Sequence, residues 1–182
     1  MRPLDTRNVS AILLIVCSVL DVTSNLMWFG TNMRKWFTES PRFFRWERGL
    51  LMAAYVMAAL SVSLLEPLMH SAGETVLGSL ATNTFLIGAV IALVVESSFV
   101  SKQGSIPALE VVMVVILFAG EALLGAALLS SGLLPAWVGL AVVVWNIGWP
   151  VVLPFLTPRD LYYPVLHFAM PLLIGIALLV TR

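Results

Sequence analysis

The sequence predicts an all-α, polytopic membrane protein, a six-helix transmembrane bundle with short loops. Three observations carry that prediction. Of the 182 residues, 60% are hydrophobic; only 11% are charged, against about a quarter in soluble domains; and the apolar residues fall into six runs parted by brief polar breaks. Each run approaches the roughly 20 residues that a helix needs to cross hydrocarbon. Six such runs use up the chain, so 1–182 reads as a single transmembrane domain with no sizeable soluble part.

The first span, 10–29, does not read as a cleaved signal peptide: Asp21 interrupts its apolar core and no small-x-small cleavage pattern follows. The second, 49–69, ends at Glu66-Pro67 and His70-Ser71-Ala72-Gly73, and the third, 76–99, ends before Gln103-Gly104-Ser105-Ile106-Pro107. The fourth, 107–129, starts on a proline and stops at Ser130-Ser131-Gly132. The fifth, 135–156, stops at Thr157-Pro158-Arg159-Asp160, and the sixth is 161–181. Loops this short make successive helices neighbours. Three spans on each side of the middle would allow an inverted repeat, yet no residue pattern aligns the two halves.

The long connection, 31–48, interleaves aromatic residues with Arg34, Lys35, Arg42, Arg45 and Arg48. Cations beside aromatics suit the lipid headgroup layer, and these five are the headgroup candidates. Lys102 and Arg159 fall on the same side, whereas the other side has only Arg2, Arg7 and Arg182. By the positive-inside rule the 31–48 loop is cytoplasmic and both termini are not, which places the protein in a cell (inner) membrane.

Polar groups inside the spans are the candidates for function, because each is costly in hydrocarbon unless it meets a partner, a cavity or a ligand. With every span centred and rising about 1.5 Å per residue, Asp21, Glu121 and Asn146 lie within roughly 5 Å of one level, and His167 about 6 Å from it. Asn25 shares a helix face with Asp21, as Trp149 does with Trp145. Pro150 and Pro154 free backbone carbonyls in the fifth span. Glu110 and Glu121 share a face about 16 Å apart, pointing inward. This constellation is expected to bind a small amphipathic ligand or cation through Asp21, Asn25, Glu121, Trp145, Asn146, Trp149 and His167, linked to a proton on a carboxylate, and to act in transport.

A second reading makes Glu121 or Asp21 the catalytic general acid of an enzyme acting on a lipid or isoprenoid, and requires a dry aromatic cavity beside the acid. A third is a non-catalytic subunit or scaffold, in which polar groups specify contacts with other membrane subunits. It requires a carboxylate among Glu66, Glu96 and Glu110 that faces lipid. Against all three stands plain structure: asparagine and histidine act as interhelical glue, and Gly88-x-x-x-Ala92, Gly120, Gly125 and Ala126 mark close helix contact. Glu66, Glu96 and Glu110 lie near span ends, within reach of headgroups.

Counting excludes other chemistries. Neither lysine lies in a span, so a retinal Schiff base has no attachment point. One cysteine and two histidines exclude a disulfide relay, a multi-histidine iron site and a bis-histidine haem. No phosphate loop, GxSxG or HExxH is present, no metal or other cofactor is expected, and no basic footprint for nucleic acid exists. Asn8-Val9-Ser10 matches a glycosylation sequon but abuts the membrane.

Overall fold

The computed structural model describes residues 5–32, 34–38, 40–101, 104, 106–156 and 165–181, the side chains at 153–154, 156 and 165–167 excepted. Among them the chain forms α1 (Thr6–Asn32), α2 (Pro41–Ser71), α3 (Val76–Val100), α4 (Pro107–Ser131), α5 (Ala136–Leu156) and α6 (Val165–Val180), with no strand. The first four are each long and apolar enough to cross a bilayer, and α5 and α6 add the shorter apolar stretches Ala136–Val152 and Phe168–Val180. Residues 157–164, which include the expected break after the fifth span, lie outside the described residues.

Sequence signals set several helix ends. Pro107 opens α4 at its first turn, and Gly132, at φ +63°, closes it in the left-handed conformation that glycine adopts without strain. The clearest departure from expectation is the start of α2, eight residues earlier than the hydropathy boundary at 49. Ser40 accepts a hydrogen bond from the Phe43 amide at 3.1 Å and Pro41 occupies the first turn, a strong helix start in a segment too polar to score as a span. Residues 41–48 are therefore helix, and of the expected connection 31–48 only 34–38 and 40 lie outside the helices among the described residues.

Successive helices lie side by side, and α1 closes the ring by contacting both α2 and α6. Small residues allow the close approaches. A Cβ at Gly120 would stand 2.8 Å from the Phe85 amide nitrogen across α3–α4, one at Gly139 2.8 Å from the Gly125 carbonyl across α4–α5, and one at Gly175 2.9 Å from the Ala11 carbonyl across α6–α1. Gly88 likewise sits against Leu117. Gly88, Gly120 and Gly125, expected to mark close contact, do so. Lipid tails are as apolar as leucine, so helices in a bilayer associate through such contacts and through hydrogen bonds.

Serines on α1 supply the hydrogen bonds. Ser10 pairs with Ser61 of α2 at 2.7 Å, Ser24 donates to the Glu47 carbonyl at 2.9 Å, and Ser18 donates to the Phe168 carbonyl of α6 at 2.9 Å. Arg7 ties the end of α6 by donating to the Thr181 and Leu178 carbonyls. Ile12, Val16, Val19 and Leu26 of α1, Leu60 of α2, Val90 of α3 and Val144 of α5 face outward. A surface this apolar is one that a bilayer covers. The chain is a multi-pass helical membrane protein.

Candidate functional site

Asp21 and Glu121, from α1 and α4, are both turned into the ring; Asp21 is fully buried and Glu121 is 2% exposed. Asn25, one turn after Asp21, donates its side-chain amide to the Asp21 carboxyl oxygen Oδ1 and to the Asp21 carbonyl, each at 2.9 Å. From α5 the buried Asn146 donates to the Val142 carbonyl at 2.9 Å and hydrogen-bonds the Glu121 carboxyl. The two carboxyls lie within electrostatic range of one another. Asp21, Asn25, Glu121 and Asn146 are thus drawn into one interior region.

Tyr55 of α2 is a member that sequence reasoning missed. It is 1% exposed, its ring meets Phe168 edge-on at 5.4 Å, and its hydroxyl lies within electrostatic range of both Asp21 and Glu121. Among the described residues, Asp21 Oδ2, Glu121 Oε2, Asn146 Oδ1 and Tyr55 Oη have no hydrogen-bond partner. Four helices each contribute one such atom, and leaving one unsatisfied costs about 1–3 kcal/mol. The signal for Tyr55 was its spacing on the stripe Arg48, Leu51, Tyr55, Ala58, Val62, Leu65 and Met69, all buried on one face of α2.

Two spaces flank this region. A cavity of about 10 Å³ touches Glu121 and is otherwise apolar, with Leu14, Phe85, Val142, Met170 and Ile174 in its wall. It has room for about one water molecule. The other is a crevice of about 450 Å³ where α5 meets α6, lined by Val144, Trp145, Gly148, Trp149, Val152 and Met170. Trp145 and Trp149 stand edge to face there at 5.3 Å, one turn apart. They form an aromatic wall beside the outward-facing Val144 and Val152, away from the two carboxyls. Met170 borders both spaces. His167 falls on α6, but its side chain lies outside the described residues, as does that of Pro154.

The basic segment divides. Arg34, Lys35, Arg42 and Arg45 are exposed, and Arg34 lies over the Phe29 ring at 5.7 Å. Arg48 is not at the headgroup surface: it is 7% exposed, and its Nη1 donates to Glu96 Oε2 at 2.9 Å. The early start of α2 is the reason, since it carries Arg48 onto the buried stripe. Glu96 is corrected with it, because it is fully buried in this pair instead of reaching for headgroups. Glu66 accepts from Ser79 at 2.5 Å beside His70, and Glu110 is half-buried in the first turn of α4. Among the described residues no three histidine, cysteine, aspartate or glutamate side chains are grouped so as to hold a metal ion.

Fold and site together define a multi-pass helical membrane protein whose ring of helices encloses acidic and amide groups. No family model, curated protein or solved structure matches the chain.

Proposed function

We propose that this protein binds a small amphipathic molecule or cation at the α5–α6 crevice, linked to proton occupancy at Asp21 and Glu121, and that movement of Met170 joins crevice and acid for transport. The observation that carries the reading is the placement of Met170 between an aromatic crevice of about 450 Å³ and a cavity of about 10 Å³ at Glu121. Methionine is unbranched and adapts its shape readily, which suits a movable partition. Indole faces attract cations, and a carboxyl whose second oxygen lacks a partner can exchange a proton for a ligand charge.

The general-acid reading has less support. It needs a substrate-sized space at Glu121, and the space there is that of a single water. The scaffold reading needs a carboxylate bare to lipid, whereas Glu96 is held by Arg48, Glu66 by Ser79, and Glu110 is half-buried in the first turn of α4.

Native mass spectrometry of the protein, extracted gently from its own membrane as wild type and as Glu121→Gln, tests the proposal. A bound small molecule that is present in wild type and lost in the variant is the expected result. Co-purifying protein chains, with no small molecule in either sample, would overturn it in favour of a subunit role.

A further inference from the structure

Four of the five basic residues in 31–48 stay outside once Arg48 is drawn into the bundle, and the chain that carries them is folded against the helix ends. Past the last turn of α1 the Arg34 amide donates to the Phe29 carbonyl at 3.1 Å and the Trp36 amide to the Gly30 carbonyl at 2.7 Å. Lys35 between them takes the left-handed conformation, at φ +57°, which turns the chain back. The Phe37 ring then lies on Gly30, where a Cβ would stand 2.6 Å from it, and meets the Phe43 ring of α2 at 5.5 Å. Phe37 thus ties the end of α1 to the start of α2.

The first two turns of α2 divide by face. Phe43 and Phe44 are half-buried and Glu47 and Arg48 buried, whereas Arg42, Arg45 and Trp46, which helical spacing sets within an arc of about 100°, are exposed. Trp36 is 65% exposed and Trp46 58%. Among the described residues Arg34, Lys35, Arg42 and Arg45 form no ion pair. The balance of charge does not depend on how the inward groups pair. Residues 34–48 hold five basic side chains against Glu39 and Glu47, and counting Glu96 of α3 with them still leaves two positive charges over.

Exposed indoles favour the level where hydrocarbon meets headgroup, and cations beside them reach the phosphates of that layer. We infer that this folded platform binds anionic phospholipid of the adjoining leaflet, with Arg42 and Arg45 as the main phosphate contacts. Three residues apart on one helix face, the two lie about 5–6 Å from each other at Cβ, close enough to share a phosphate. Each guanidinium can donate two parallel hydrogen bonds to phosphate oxygens. This inference is independent of the midplane site.

The test titrates the full-length protein, in an uncharged detergent, with short-chain phosphatidylglycerol and short-chain phosphatidylcholine, and counts lipid adducts by native mass spectrometry. Phosphatidylglycerol should bind at least about tenfold tighter, since each cation at an anionic surface contributes about fivefold. Arg42→Gln combined with Arg45→Gln should erase most of that preference and leave phosphatidylcholine binding and the unfolding temperature as they were, because both side chains are exposed and free of ion pairs. Equal binding of the two lipids by wild type, or a preference that survives the double substitution, would overturn the proposal. So would displacement of phosphatidylglycerol by an equal concentration of inorganic phosphate, which would make the ligand a free anion.

Discussion

Helix α5 has a glycine facing each of its neighbours, and the two meet opposite circumstances. Gly139 is pressed on α4: a Cβ there would stand 2.8 Å from both the Gly125 carbonyl and the Leu129 amide nitrogen. Gly148 lines the crevice toward α6, and a Cβ there would meet nothing within 4 Å. The same residue type in the same helix therefore closes one seam and leaves the other open. A bundle held by close contact and hydrogen bonds is only as tight as its loosest seam, and among the described residues the ring is loosest where α5 meets α6.

The largest expected effect breaks the closed seam. Gly139→Ala forces backbone apart and should cost about 1–3 kcal/mol, the usual penalty of overpacking. Gly148→Ala should be neutral, or stabilising by up to about 1 kcal/mol, because alanine is the better helix former. Thermal unfolding in detergent compares the two, and equal shifts would show that the seams do not differ.

Next comes the acid behind the open seam. Binding of tetraphenylphosphonium, a lipophilic cation, should depend on pH in wild type and lose that dependence in Glu121→Gln. Equilibrium dialysis across several pH values reads both, and parallel profiles would remove the link between crevice and carboxyl. A smaller effect sharpens the aromatic wall: Trp149→Leu should weaken the same probe a few-fold, the size of one ring contact with a cation, with unfolding temperature little altered.

The smallest effect lies outside the membrane. Glu74, in the turn between α2 and α3, accepts from the Ser130 hydroxyl at 2.6 Å and from the Leu77 amide at 2.8 Å, and the first of these is the main reason that its carboxyl is held below its ordinary range. A carboxyl held low contributes stability above its unfolded pKa and loses it as pH falls through the folded value. Ser130→Ala should therefore raise the Glu74 titration midpoint, followed by NMR of the labelled carboxyl, and any stability difference from wild type should close on acidification. An unmoved midpoint would show that Ser130 does not hold the turn.

Hydropathy made the bundle legible because the cost of polar backbone and charge in hydrocarbon acts on each span separately. The rise per residue placed Asp21, Glu121 and Asn146 at one level for the same reason: it is a property of a single helix. Rotation about the helix axis and helix order are not, and there the sequence reading of Arg48 and Glu96 failed. Arg48 ended up inside because Ser40 and Pro41 start α2 early, a local signal that hydropathy averages away; Glu96 ended up opposite it because α2 neighbours α3 in that register.

The sequence by itself determined that this is a helical membrane protein and that small residues would bring helices close. Only the tertiary structure decided that Tyr55 joins the acids, that Arg48 pairs with Glu96, and that Met170 stands between Glu121 and the crevice. Crossing a bilayer is imposed residue by residue along one chain segment. A shared cavity is imposed by how several segments fit together, and no single segment carries that information.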